Sequence, residues 1–149
     1  MKPRRAPSQP RRRIDTLSSE QRSRCMAAVK GRDTTPELAV RRMVHGLGYR
    51  YRLHASDLPG KPDIVLRRWH AVIFVHGCFW HRHRCRFGQA TPRTRAAFWR
   101  KKFERNIARD RRVRADLRRQ GWRVLVVWEC QLRDSERIAR LLAGFLESC

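Results

Sequence analysis

Acidic residues are scarce in this sequence, and long apolar runs are absent from it. Thirteen Asp and Glu stand against thirty-six Lys and Arg among 149 residues, which gives a formal net charge of +23. An imbalance of that size exceeds what solubility requires and indicates a polyanionic partner, for which nucleic acid is the usual candidate. We find no apolar run that could span a bilayer and no basic helix with a broad apolar face, so we expect no membrane partner.

An even set of cysteines and a secretion signal are also lacking. The chain has five cysteines, and two of them lie close to histidines, which is not typical of a disulfide framework. Residues 1–13 hold three prolines and six basic residues but no apolar segment of a signal peptide. We expect residues 1–14 to be a disordered basic tail, with an inert tail as the alternative, and residues 15–149 to form one domain in a reducing cytoplasm.

Hydrophobic periodicity and turn residues predict eight elements in the order α-α-β-β-β-α-β-α. Ser18 or Ser19 can cap the first helix, which is predicted to stop near Gly31. The second helix has Thr35 as its N-cap and Pro36 as its first helical residue. Its predicted core stripe consists of Leu38, Met43, Val44 and Leu47.

Three short extended runs follow, and the last two read as a hairpin joined by the sequence RRWH. One long helix is predicted over residues 94–120, and Gly121 ends it. The apolar run WRVLVVWE predicts a buried strand, central in the sheet and parallel to a neighbour, and SERIARLLAGFLE predicts a last helix. These elements indicate an α/β fold with a mixed central sheet flanked by helices.

The stretch HGCFWHRHRC, residues 76–85, is dense in residues that bind metals. Cys78, His83 and Cys85 have the spacing C-x4-H-x-C, and a tetrahedral structural site needs a fourth ligand. Cys130 follows the last predicted strand and could complete a Cys3His zinc site with them. The alternative is that Cys130 is a small buried hydrophobic residue at a strand end.

Two histidines of the same stretch are left over by that assignment. His76 ends an apolar strand, and Asp63 begins the strand before it, so a tight hairpin would place both residues at one end of the sheet. A carboxylate there suits Mg²⁺, and histidine suits proton transfer near neutral pH. The alternative is that Asp63 caps a turn and that His76 and His81 are spare zinc ligands.

Four stretches of the chain together resemble the very short patch repair (Vsr) DNA mismatch endonucleases: LPGKPDIV, AVIFVHGCFWHRHRC, FWRKKFERNIARDRR and GWRVLVVWEC. The resemblance runs from about Ser23 to Arg133. It implies the fold of type II restriction enzymes, with a structural Zn²⁺ and a catalytic Mg²⁺. It also implies nicking of one strand of duplex DNA 5′ to the thymine of a T·G mismatch, which arises by deamination of 5-methylcytosine.

The resemblance also implies roles for individual residues. Asp63 matches the aspartate that holds Mg²⁺, and Val75 falls where the family usually has a Thr whose backbone carbonyl faces the metal. His81 matches the histidine that activates water, and His76 matches a second active-site histidine. The remaining matches are Asp110 as the acid that orients His76, Glu37 as a carboxylate near the metal, and Cys78, His83, Cys85 and Cys130 as the zinc ligands.

Aromatic residues acquire a role from the same resemblance. Phe79 and Trp80 are implied to wedge between base pairs beside the mismatch, Met26 to enter from the other groove, and Trp99 to lie near the DNA. A core position is the alternative for Trp99. Alternatives also stay open for Glu37, as a helix-dipole partner, and for Asp110, as an i,i+4 partner of Arg114.

The implied protein is a bacterial, nucleoid-associated monomer that acts on double-stranded DNA, with mismatch-repair proteins as possible further partners. Two other functions remain compatible with the residues. One is a non-catalytic, zinc-stabilised DNA-binding module, in which Asp63 and His81 would have no catalytic task. The other is an RNA-binding protein, because net charge does not distinguish the two polymers.

Overall fold

The structure, a computed structural model, describes residues 18–29 and 31–148, and the chain divides into two compact units, Met1–Gly31 and Arg32–Cys149. The predicted basic tail of residues 1–14 lies outside the described residues, as does Cys149. In the first unit, helix α1 spans Ser19–Ala27. Ser18 is its N-cap and forms a capping box with Gln21, which confirms Ser18 of the two predicted caps.

Helix α2 spans Thr35–Gly46 and begins the second unit. Its N-cap is Thr34 rather than the predicted Thr35, since the Thr34 side chain accepts from the Glu37 N–H. The predicted apolar stripe is wrong in part: Val40 and Val44 are fully buried, whereas Leu38 and Leu47 are exposed. Residues four apart share a helix face, and the face that meets the sheet is the one centred on Val40 and Val44.

In the part of the chain that the structure describes, four strands form one mixed sheet in the order β1-β2-β3-β4. Their bounds are Arg52–Leu53 for β1, Ile64–Leu66 for β2, Ala71–His76 for β3 and Arg123–Trp128 for β4. Strands β2 and β3 form the predicted antiparallel hairpin, joined by a 3-10 turn at Arg67–Trp69. Strand β4 pairs parallel with β3, as predicted.

The prediction that β4 is central is wrong, because it lies at the edge of the sheet. Its apolar run, VLVV, arises because helices cover both faces of the sheet. It does not require a neighbouring strand on each side of β4. Val127 packs on one face in the cluster of α2 and α4, and Val124 and Val126 pack against the cluster on the other face.

Helix α3 spans Ala96–Arg119 and crosses from β3 to β4. Helix α4 spans Ser135–Glu147, with Asp134 as its N-cap. Side chains alternate between the faces of the sheet, so Ile64 and Ile73 pack under α2 and α4, while Val65 and Val72 pack with Leu117 of α3. The predicted α/β class and element order are confirmed. Within the described residues, no helix is long and apolar enough to cross a membrane.

Candidate active site and metal centre

Asp63 lies immediately before β2, and its carboxylate faces the end of β3. Its Oδ2 accepts a hydrogen bond of 2.7 Å from the Val75 N–H. The N–H and C=O of one strand residue point to the same side of the strand, so the Val75 carbonyl is also directed toward Asp63. The preceding turn requires Gly60, because φ there is +72° and an added Cβ would lie 2.3 Å from Val113 Cγ1 on α3.

The electrostatics around Asp63 favour a bound cation. Burial raises the pKa of Asp63 to about 6; the Val75 hydrogen bond opposes that change, and the charge of Glu37 adds to it. The charges of His54 and Arg41 lower the same pKa. A carboxylate whose ionised form is disfavoured by burial gains from a cation placed beside it, and together with a backbone carbonyl it offers the oxygen ligands of a hard divalent ion.

Two stacked histidines lie at the end of β3. The rings of His76 and His81 have centroids 3.7 Å apart and are nearly parallel, at 10°. Burial, with the charge of His81 second, lowers the pKa of His76 to about 3, so His76 is a neutral imidazole at physiological pH. The stacked ring restricts rotation of His81.

Asp110 of α3 pairs with His81, which corrects the prediction that it orients His76. His81 Nδ1 and Asp110 Oδ2 lie 2.6 Å apart. Burial raises the pKa of Asp110, but the hydrogen bond and charge of His81, together with the charges of His76 and Arg109, outweigh it, so the pKa is lowered overall. An ionised Asp110 holds the proton on Nδ1 and leaves Nε2 of His81 as an acceptor. The alternative pairing with Arg114 involves the Asp110 backbone oxygen and not its carboxylate.

The loop after β3 also brings together three thiols and an imidazole. The ligand atoms of Cys78, His83, Cys85 and Cys130 all lie within 4.8 Å of one another. His83 Nδ1 is 3.4 Å from Cys130 Sγ and 4.0 Å from Cys78 Sγ. Tetrahedral zinc, with bonds of about 2.3 Å to sulfur and about 2.0 Å to nitrogen, keeps its ligand atoms about 3.5–3.8 Å apart. These four residues therefore fit a zinc ion and could hold one.

The thiols of that cluster differ in their ionisation. Burial raises the pKa of Cys78 to about 12, whereas the hydrogen bond with His83 lowers the pKa of Cys85 to about 6. Cys130 is half-buried and directed at His83, so the alternative of a plain core residue is not supported. Gly88 allows the loop to close, because a Cβ there would lie 2.0 Å from the His83 carbonyl oxygen.

Arg82 is a residue of this loop whose role the sequence did not reveal. Its φ of +54° is left-handed. Its guanidinium donates to the Ala90 backbone oxygen at 2.7 Å and lies 4.3 Å from the centroid of the Phe103 ring on α3. The chain turns sharply at Arg82, between a histidine that contacts Asp110 and a histidine of the zinc-type cluster. Among thirty-six Lys and Arg, no sequence signal separates Arg82 from the rest.

Arg82→Ala is expected to lower the free energy of unfolding by about 2 kcal/mol, since hydrogen bonds to charged groups contribute about 1.5–3 kcal/mol. Denaturant titration of the metal-loaded protein measures the change. Arg84→Ala, at an exposed position of the same loop, is the matched control and should be close to neutral. Equal stability of the two variants would show that the contacts of Arg82 contribute nothing.

The aromatic residues of the loop pack against α3. Phe79 lies 5.2 Å from Phe103 and 5.7 Å from Trp99 by ring centroids, and Trp80 lies 6.0 Å from Trp99. Phe79 and Trp80 are half-buried, whereas Trp99 is 8% exposed and belongs to the core. The Asn106 side chain donates to the Trp80 carbonyl at 2.9 Å, so α3 holds this part of the loop. The DNA contacts of Phe79, Trp80 and Trp99 stay predictions.

Two further predicted residues belong to different parts of the chain. Met26 is half-buried on α1, in the first unit, and its contact with DNA stays a prediction. Glu37 is 5% exposed and accepts hydrogen bonds from the Asp33 N–H, the Thr34 hydroxyl and Arg41, at 2.9 to 3.0 Å. It is therefore part of a buried polar network and not only a residue that favours the dipole of its helix.

Comparisons of the sequence with a family model and with known proteins point to the same family. A model of the family described as DNA mismatch endonuclease Vsr matches residues 14–87. A type II nicking enzyme of Xanthomonas oryzae, V.XorIIP, is 50% identical over 133 residues, covering 89% of this chain and 97% of the relative. The DNA mismatch endonuclease Vsr of Escherichia coli is 43% identical over 124 residues, covering 83% of this chain and 79% of the relative.

A solved structure is similar in fold. The catalytic domain of the homing endonuclease I-Bth0305I superposes with a TM-score of 0.56, covering 78% of this chain and 97% of that domain, at 21% sequence identity. At that identity the likeness concerns the fold alone. It confirms the predicted restriction-endonuclease-like fold, with a mixed sheet and flanking helices.

Proposed function

This chain belongs to the DNA mismatch endonuclease Vsr family, and from that membership we propose that it nicks one strand of duplex DNA 5′ to the thymine of a T·G mismatch. The observation that supports hydrolysis most strongly is the arrangement at the end of β3. A half-buried carboxylate, Asp63, and an imidazole held by a second carboxylate, His81 with Asp110, lie near the same end of β3.

We propose that Asp63 and the Val75 carbonyl hold the catalytic Mg²⁺. When bound, the ion supplies positive charge to the scissile phosphate and the leaving oxygen. His81 accepts the proton of the attacking water at Nε2, because Asp110 occupies Nδ1. The neutral His76 ring keeps the His81 ring in one plane by stacking on it.

The cysteine-rich cluster has a positioning task in this proposal. A Zn²⁺ on Cys78, His83, Cys85 and Cys130 would fix the loop that carries both His81 and the aromatic pair. Cys130 lies in the 3-10 turn that follows β4, so a shared ion would tie this loop to that turn. A displacement of His81 by about 1 Å would lower the rate on the order of 100-fold.

Recognition of the mismatch is proposed for Phe79 and Trp80. Their rings are half-buried on α3, beside Lys102, whose Nζ is 5.2 Å from the centroid of the Trp80 ring. Wedging a side chain between base pairs costs a few kcal/mol of unstacking, and that cost is lower at a mismatched pair. The difference favours a T·G pair over a matched pair.

Trp80→Ala is expected to reduce the preference for T·G over T·A duplex about 10-fold, because stacking on an aromatic residue contributes about 1–3 kcal/mol per base. Binding to both duplexes at one salt concentration measures the preference. Phe98→Ala removes an exposed aromatic residue near the same lysine and is the control. An equal loss of affinity for both duplexes would place mismatch recognition elsewhere.

The decisive experiment is strand nicking on duplexes that carry a single T·G pair in varied sequence contexts. Nicking of one strand with Mg²⁺, none with EDTA and none on matched duplex supports the proposal. Binding without nicking under all metal conditions would favour the alternative of a DNA-binding module. Competition by an excess of RNA tests the alternative of an RNA-binding protein. We expect the protein to bind the mismatched duplex as a monomer.

Bacterial relatives that act on DNA support a cytoplasmic site of action at the nucleoid, and double-stranded DNA as the partner. Mismatch-repair proteins are proposed as further partners, since they and this protein would bind the same T·G mismatch. Pull-down of the purified protein with such proteins, in the presence and absence of a T·G duplex, checks this.

A further inference from the structure

A buried arginine lies among three residues of the kind that bind metal ions. The ligand atoms of Asp33, Glu37 and His54 lie within 4.8 Å of one another. The Arg41 guanidinium contacts all three: 2.7 Å to Asp33 Oδ1, 3.0 Å to Glu37 Oε2 and 3.1 Å to His54 Nε2. The guanidinium therefore lies where a metal ion bound by these three residues would lie.

Two carboxylates that pair with Arg41 offset the cost of burying its charge. Arg41 is 7% exposed, and within the described residues its Nε is the buried side-chain atom that has no hydrogen-bond partner. Leaving a buried donor unpaired costs about 1–3 kcal/mol, and desolvating a guanidinium costs more. The compensation comes from two carboxylates, of which Glu37 is itself 5% exposed and would otherwise be an unpaired buried charge.

This cluster adjoins the hydrolytic site, because His54 follows Leu53 of β1, and Leu53 pairs with Ile64, the residue next to Asp63. Glu37 raises the pKa of Asp63 through its charge, after the larger effects of burial and the Val75 hydrogen bond, and His54 and Arg41 lower it. Any cation in the cluster therefore acts on the carboxylate that is proposed to hold Mg²⁺. A divalent ion there would repel the ion on Asp63 and weaken its binding. The Arg41 guanidinium carries a single charge and is held in one position by the chain.

We propose that Arg41 is a built-in cation that excludes a divalent ion from the Asp33, Glu37 and His54 cluster and positions the Glu37 carboxylate near Asp63. The exchangeable ion is then confined to Asp63; that part rests on the proposed function. Arg41 is a positioning residue, because it acts through the Glu37 carboxylate that its guanidinium contacts.

The test counts bound Mn²⁺, a paramagnetic substitute for Mg²⁺, on full-length zinc-loaded protein without DNA. Arg41→Gln removes the positive charge and frees the three ligands, so it is expected to bind about one Mn²⁺ more per chain than the wild type. Arg41→Lys keeps a charge and should show no gain. Arg67→Gln removes one positive charge from the exposed ion pair with Asp57 and is the matched control.

A folded Arg41→Gln protein that binds no more Mn²⁺ than Arg67→Gln overturns the proposal, and so does a gain that survives in the double variant with Glu37→Gln. If Arg41→Gln folds only with metal, Mn²⁺ must restore its thermal transition, because ion binding stabilises the native state; failure at saturating Mn²⁺ also overturns it. The count needs no nicking, so loss of the proposed function would be seen separately, as a wild type that binds no Mn²⁺ at Asp63.

Discussion

Asp63→Asn is expected to lower the rate of strand nicking about 10³-fold or more while DNA binding stays near that of the wild type. The substitution keeps the size of the side chain and removes the charge that would hold the divalent ion. Charge stabilisation by a metal ion contributes several kcal/mol to phosphoryl chemistry, and about 1.4 kcal/mol corresponds to tenfold in rate. Single-turnover nicking and equilibrium binding to the same T·G duplex separate the two effects.

Asp57→Asn is the control for that experiment. Asp57 lies in the segment that leads to the same turn, but its carboxylate is exposed and pairs with Arg67. Its loss should change the rate little. Full activity of Asp63→Asn would remove this residue from the reaction, whereas parallel loss of binding and nicking would point to a defect of the fold at the Val75 hydrogen bond.

Cys130→Ala is expected to lose the zinc ion and to lower the free energy of unfolding on the order of 5 kcal/mol. Structural zinc contributes about 10–16 kcal/mol in small zinc-dependent peptides. A smaller effect is expected here because clusters on both faces of the sheet supply a core that is independent of the metal. Metal analysis and thermal unfolding measure the two losses.

Cys25→Ala serves as the matched cysteine variant, since Cys25 is exposed on α1 and lies outside the cluster. It should keep about one zinc per chain and melt like the wild type. If Cys130→Ala also kept its zinc and its melting temperature, the fourth ligand would have to be another residue. Loss of zinc without loss of nicking would show that the loop holds His81 in place by its contacts with α3 alone.

Local sequence determined the parts of this protein that depend on short-range chemistry. The spacing of Cys78, His83 and Cys85 within one loop predicted three ligands of the cluster, because residues so close in the chain can converge without help from the rest of the fold. The hairpin of β2 and β3 followed from two apolar runs with a short connection. The same hairpin indicated Asp63, whereas the family resemblance supplied the roles of His81 and Asp110, which the structure brings together.

Tertiary packing decided what depends on the relative positions of distant elements. The rotation of α2 could not be read from its apolar residues, since Leu38 and Val40 are equally hydrophobic candidates and only the position of the sheet selects Val40. The partner of Asp110 depends on where α3 crosses the loop, which sets His81 rather than His76 beside it.

The same reason explains why the network around Arg41 escaped prediction. A buried arginine has the same sequence signature as the many exposed ones, and its partners come from positions 33, 37 and 54. The left-handed φ at Asp33 and His54 likewise could not be predicted from residue propensities. Sequence alone predicted which residues could carry the chemistry, and the tertiary structure decided which of their charges meet, because a pairwise charge interaction depends on a distance that local preference does not set.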